Sequence, residues 1–173
     1  MPFFIVIIEN LKVPANDLYE KGVGLITFEY QREIPTIKST HYLNAIKLAP
    51  LKEKHGVYDV LYCFNEEVLE VPRNNFFIFK NKALITPKDH ILRGVTRKVI
   101  LELAKGVFKV EERKVLRKEL KEADEAFICG TTRKIIPVVK IDRNIIGNGN
   151  VGPLTVQMMM LFDKYVNSFV TAL

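Results

Sequence analysis

Apolar and polar positions alternate in a way that divides the chain into short strands and a few helices. Phe3 to Ile8 is a continuous apolar run of phenylalanine, isoleucine and valine, the pattern of a strand buried on both faces. Pro14, Asn16 and Asp17 start a short helix through Tyr19, which Gly22 stops. Val23 to Tyr30 is β-branched and aromatic and reads as a second strand. From His41 onward, Leu43, Ile46, Ala49 and Leu51 are spaced for one helical face ending near Gly56, with Pro50 kinking or splitting the helix. Val57 to Phe64 is the next strand, and Asn65 and Glu66 turn it back into Val68 to Val71. Asn75 to Phe79 and Ala83 to Thr86 flank Lys80, Asn81 and Lys82 as a hairpin.

In the second half, Val95 to Ala104 reads as a helix closed by Gly106, Phe108 to Glu112 as a strand, and Val115 to Ala123 as a short charged helix. Ala126 to Cys129 and Ile135 to Ile141 are strands around a turn of Gly130, Thr131 and Thr132. Gly152 and Pro153 open a last helix through about Phe169. Strand-rich hairpins with a few helices predict a mixed α/β (α+β) domain rather than a Rossmann sheet. There is no Walker sequence, and Gly147 to Gly152 follows a turn signal instead of the strand a dinucleotide-binding turn requires. Without internal repeats or low-complexity linkers, residues 1–173 are expected to form a single domain.

Composition narrows the function classes. With 48% hydrophobic and 27% charged residues, the chain has the make-up of a folded domain that needs no disulfide or structural metal. No apolar run approaches the roughly 20 residues of a membrane span, and Met1 is not followed by a basic segment and a small-residue cleavage site; a cytoplasmic protein without a membrane partner is expected. Cys63 and Cys129 lie in apolar, strand-like contexts without zinc-type spacing. They are expected to be buried free thiols, and no metal site is predicted. His41, His55 and His90 share no ligand spacing and read as structural or surface residues. The excess of 26 Lys and Arg over 20 Asp and Glu gives a charge of +6. Because basic and acidic residues intermingle from Glu111 to Glu125, that stretch reads as a solvated mixed face rather than a nucleic-acid surface. An anionic small ligand accounts for the basicity equally well.

Four short segments in fixed order carry the chemical signal: Ile37-Lys38-Ser39-Thr40-His41-Tyr42-Leu43-Asn44; Val68-Leu69-Glu70-Val71-Pro72-Arg73-Asn74-Asn75-Phe76-Phe77; Leu92-Arg93-Gly94-Val95-Thr96-Arg97; and Cys129-Gly130-Thr131-Thr132. With Gly149-Asn150-Val151-Gly152-Pro153-Leu154-Thr155 near the end, this set resembles the class IV (fold type IV) pyridoxal-phosphate aminotransferases. That group includes branched-chain and D-amino-acid aminotransferases and aminodeoxychorismate lyase. The resemblance covers the family's large, C-terminal cofactor domain and implies a strand-rich, barrel-like sheet with flanking helices. On this resemblance the family's N-terminal small domain is expected to be absent from residues 1–173.

The resemblance implies roles residue by residue. Lys38 matches the Schiff-base lysine, and apolar Ile37 beside it is expected to help desolvate the amine and free it for attack on an aldehyde. Glu70 matches the carboxylate that keeps the pyridine nitrogen protonated, so that the ring accepts electrons from the substrate carbon. Asn75 matches the asparagine that braces the same loop, and Leu92 a residue packed on the ring face. Gly94, Val95 and Thr96 match the phosphate-binding turn, where a glycine leading into a helix points free amides at an anion. Thr131 and Thr132 follow Gly130 in a turn whose first threonine contacts phosphate in relatives and whose amides can hold a substrate carboxylate. Two departures stand out: Val71, Pro72, Arg73 and Asn74 replace glycine and small hydroxyl residues common in relatives, and Lys134 stands where glutamate is common.

The resemblance thus implies a pyridoxal 5'-phosphate-dependent amino-acid aminotransferase, converting amino acid to keto acid, in a truncated or partial form. Apolar surface that the small domain covers in relatives would be left exposed and favour self-association, so a homodimer or larger assembly is expected. The alternatives are an enzyme of the aminodeoxychorismate-lyase type and a non-catalytic remnant of the family.

Overall fold

A computed structural model describes residues 3–10 and 14–170. In chain order the elements are α1 (Asp17–Glu20), β1 (Val23–Glu29), α2 (Leu43–Lys47), α3 (Ala49–His55), β2 (Asp59–Phe64), β3 (Glu67–Val68), β4 (Glu70–Val71), β5 (Asn74–Lys80) and β6 (Ala83–Thr86). They continue with α4 (Val95–Ala104), β7 (Lys109–Glu112), β8 (Val115–Leu116), a 3-10 turn (Arg117–Glu122), β9 (Glu125–Gly130), β10 (Lys134–Ile141), β11 (Asn144–Ile145) and α5 (Pro153–Val170). No helix among the described residues is long and apolar enough to cross a membrane.

One mixed sheet runs in the order β7-β6-β5-β9-β10-β1-β2-β3-β8, with β4 attached to β5 and β11 to β10. It curls into the barrel-like form implied by the sequence. Strands β5 and β2 are four places apart in this order, yet β4 pairs with β5 through Glu70 and Asn75, and the N–H of Leu69 just before it donates to the Tyr62 carbonyl of β2 at 2.8 Å. Residues 69–71 therefore bridge the curled sheet.

Both faces of the central strands are buried, because adjacent side chains in a strand point to opposite sides. Phe76 and Ile78 join Leu25, Leu61, Ile128 and Val138 in one cluster. Phe77 and Phe79 pack with Phe127, Ile100 and Met158 in a second, on the helical side. This explains why the strands read as unbroken apolar runs. Cys63 and Cys129 are buried free thiols, as expected, and burial pushes both thiols up to about 12.

Strand β1 pairs parallel with β2, and β6 parallel with β7. Parallel neighbours need a long crossover. Residues 30–58 supply the first, containing α2 and α3, with Pro50 opening α3 where the sequence predicted a kink or split. Residues 87–108 supply the second, containing α4.

Three expectations are corrected. Phe3 to Ile8 forms no strand and its residues are between 67% and 93% exposed; the segment pairs with none of the described strands. The short charged helix expected from Val115 starts later and is of the 3-10 type, Arg117–Glu122, after Val115–Leu116 pair as a strand; the Glu119 carboxylate caps its start by accepting from the Leu116 N–H at 2.9 Å. The stretch from Glu111 to Glu125 is not wholly solvated either. Glu119 is buried and paired with Arg113 at 2.8 Å, and buried Glu125 accepts from the Leu154 and Thr155 N–H groups at 3.0 and 2.6 Å, capping α5.

Candidate active site

Four separate stretches meet at one cavity of about 250 Å³: the first crossover, the β4–β5 hairpin, the start of α4 and the β9–β10 turn. Of the nine residues singled out by sequence, eight line it: Lys38 with Glu70, Asn75 and Leu92, and Gly94, Val95 and Thr96 with Thr131. Thr132 lies in the same turn, exposed and outside the cavity lining. Lys134 faces elsewhere and pairs with Asp163 at 2.6 Å.

Glu70 is the buried acid of the site, at 5% exposure. Burial raises its pKa above the ordinary carboxylate value, and the Arg32 charge opposes that rise. Arg32 donates from Nε to Oε1 at 2.9 Å, and the Leu92 N–H donates to Oε2 at 2.9 Å. Asn75 approaches Oε2 only at 3.4 Å, its short bond going to the Leu92 carbonyl at 2.7 Å. A carboxylate offers about four acceptor positions. All four are taken, two by Arg32 on Oε1 and two on Oε2, and the long Asn75 contact is the weakest of them.

Arg32 was not visible as a site residue in the sequence, since no local pattern marks one arginine among so many cations. Its guanidinium also holds the carbonyls of Pro35 and, at 3.3 Å, Ile37. A single side chain thus ties the loop carrying Lys38 to Glu70. Lys38 itself is exposed, and Ile37 is 55% exposed. The desolvation expected of Ile37 is not provided, because residues 33–41 form no helix or strand that would wall the amine in.

Two glycines let the remaining turns close on the β4–β5 hairpin. A Cβ on Gly94 would stand 2.4 Å from the Asn75 Oδ1, and one on Gly130 would stand 2.6 Å from the Asn74 Nδ2. Asn74 and Asn75 are neighbours on β5, so their side chains leave on opposite sides and each braces a different turn. Arg133 locks the second turn by donating to the Asn74 Oδ1 at 3.2 Å while its guanidinium lies over the Tyr58 ring. Gly94 is the N-cap of α4 in an extended conformation, with no side chain bonded to the first-turn amides. Those amides and the positive end of the helix suit an anion. An amine, a buried carboxylate whose long Asn75 contact a ring N–H can replace, an uncapped helix start and a second turn with a hydroxyl suit a phosphorylated pyridine aldehyde.

Residues 2–141 match the Amino-transferase class IV family. The chain belongs to the class IV aminotransferases. It is 41% identical over 131 residues, 72% of this chain and 42% of the relative, to a protein of Aquifex aeolicus named as a probable branched-chain-amino-acid aminotransferase. It is 32% identical over 173 residues, 96% of this chain and 60% of the relative, to the D-alanine aminotransferase of Staphylococcus haemolyticus. Among solved structures, this class IV chain superposes with a TM-score of 0.73 and 29% identity on the branched-chain amino acid aminotransferase from Escherichia coli, over 81% of this chain and 51% of that one. The chain spans about half the length of the relatives it matches.

Proposed function

We propose that residues 1–173 form the cofactor-binding domain of a pyridoxal-phosphate-dependent aminotransferase that converts amino acids to keto acids. The observation that carries this reading is the meeting of Lys38, buried Glu70 and the uncapped start of α4 around one cavity. Bound pyridoxal phosphate supplies an aldehyde carbon and a ring that accepts electrons. With the cofactor bound, Lys38 Nζ would be the amine that holds its aldehyde carbon and the base that carries a proton between the substrate Cα and the cofactor C4′. Glu70 Oε2 holds the proton on the pyridine nitrogen. The Val95 and Thr96 amides hold the phosphate, and the Gly130–Thr131 turn orients the substrate.

The test is to add pyridoxal phosphate, record the visible absorbance band, reduce with borohydride and map the label. Label confined to Lys38 and lost in Lys38→Ala supports the reading; label spread over many lysines defeats it.

Exposed apolar side chains support a further part of the proposal. Ile34, Ile37, Leu43, Ile46 and Val95 are each more than half exposed, and such side chains favour association; we infer a homodimer or larger assembly with weak cofactor affinity and little transamination by these residues alone. Sedimentation showing a monomer at every concentration would remove that part. The two unpaired thiols support a reducing compartment such as the cytoplasm.

A further inference from the structure

The tip of the β4–β5 hairpin brings into the cavity a charge that the chemistry above does not use. Val71 and Asn74 are paired across the hairpin, so Pro72 and Arg73 are its two-residue tip, and neither has a positive φ. Proline fixes φ at the first tip position, which sets the direction in which the tip presents Arg73. The Arg73 guanidinium rests 5.0 Å from the centroid of the Tyr42 ring, and both residues line the cavity. Contact with a ring face steadies the cation without using its N–H groups. Among the described residues Arg73 has no ion pair, and Glu70, the acidic side chain lining this cavity, is held by Arg32.

The place of Arg73 within the cavity decides which anion it serves. Its carbonyl lies 3.2 Å from where a Cβ on Gly130 would stand, so the hairpin tip abuts the Gly130–Thr131 turn. Arg93, by contrast, adjoins Gly94 at the start of α4. The turn beside Arg73 offers its threonine to phosphate and its amides to a carboxylate, and since the helix end already serves the phosphate, the carboxylate is the anion left for the free arginine.

We propose that Arg73 is a carboxylate-binding residue of the substrate pocket, taking a carboxylate of the amino acid or keto acid beside the Gly130–Thr131 turn. The proposal rests on the aminotransferase reading for the identity of the ligand. The chemistry suits it: a planar guanidinium with unused N–H groups binds a carboxylate through two parallel bonds, which lysine cannot reproduce.

The experiment measures equilibrium binding of two non-reacting probes, glutarate with two carboxylates and 4-methylvalerate with one. Calorimetry or NMR titration is run on the wild type, Arg73→Ala and Arg73→Lys, each with and without pyridoxal phosphate. Arg73→Ala is expected to bind about tenfold more weakly, the effect of losing a charged hydrogen bond, with Arg73→Lys intermediate and the thermal midpoint unchanged. Weakening for glutarate alone places Arg73 on a side-chain carboxylate; weakening for both probes places it on the carboxylate that all substrates share. Carboxylate binding that depends on Arg73 without a visible cofactor band upholds this residue's role and overturns the cofactor reading. Equal affinities in wild type and Arg73→Ala, or no binding of either probe by the wild type, overturn the proposal even if Lys38 takes the label.

Discussion

Replacing Arg32 with alanine separates the forces that hold the site. The substitution removes the cation paired with Glu70 Oε1 at 2.9 Å and the two bonds to the loop carrying Lys38. Glu70 keeps the Leu92 N–H at 2.9 Å but loses its charge partner while remaining 5% exposed. Deleting one member of a buried pair costs about 3–5 kcal/mol. Arg32 is partly open, with 20% side-chain exposure, so water replaces some of what is lost, and about 2–3 kcal/mol is expected. The pH dependence gives the sharper test. Burial already raises the Glu70 pKa, and Arg32 is the largest influence pulling it down. A carboxyl raised in the folded state binds more protons there than in the unfolded chain. Its favourable contribution is present below the unfolded pKa and is lost as pH rises through the folded one. Removing Arg32 raises the folded pKa further, so the deficit is small near pH 4 and full near neutrality, roughly three units higher. Urea unfolding at both pH values in wild type, Arg32→Ala, Glu70→Gln and the double variant measures this. In the Glu70→Gln background the loss shrinks to that of the two carbonyl bonds. An identical loss at both pH values, or an undiminished loss in that background, refutes the reasoning.

Glu70→Gln by itself should bind pyridoxal phosphate nearly as well as the wild type while slowing any half-transamination strongly, because its proposed work is to hold a proton on the ring nitrogen; stopped-flow absorbance checks it, and normal turnover per bound cofactor would reassign the residue. Glu125→Ala removes the acceptor for the Leu154 and Thr155 N–H groups at the start of α5 and should lower unfolding free energy by about 1–2 kcal/mol, with Glu125→Gln retaining part of it in urea titrations.

What the sequence revealed depends on whether the signal was local. The strands were legible because they are buried on both sides: Phe76 and Ile78 face one cluster, Phe77 and Phe79 the other, and no polar position interrupts the run. The β5–β6 turn was legible from its composition, and Asn81 and Lys82 adopt the positive φ values of 50° and 63° that such a tight hairpin uses. Phe3 to Ile8 misled because apolar composition makes a strand only where a neighbour supplies hydrogen bonds. Glu119 and Glu125 misled for the converse reason: their partners, Arg113 and the α5 amides, are contributed by tertiary structure. Motif order located Lys38, Glu70 and the two turns, but Arg32 carries no signal until Glu70 is seen buried beside it.

The site follows from the topology in a way that composition does not disclose. Parallel pairing of β1 with β2 and of β6 with β7 obliges the chain to leave the carboxyl end of β1 and of β6 in long crossovers. Lys38 lies in the first, and Gly94 to Thr96 lie in the second. Unpaired crossover backbone is free to present an amine or amides, yet it needs an anchor to do so with fixed geometry. The β4–β5 hairpin is that anchor: Glu70 receives Arg32 from the first crossover and the Leu92 N–H from the second, while Asn75 and Asn74 receive Gly94 and Gly130. Four stretches distant in sequence thus acquire their mutual positions through residues 70–75. Arg73 sits at the tip of this same hairpin, so a change there can alter what the cavity binds without disturbing the contacts that hold it.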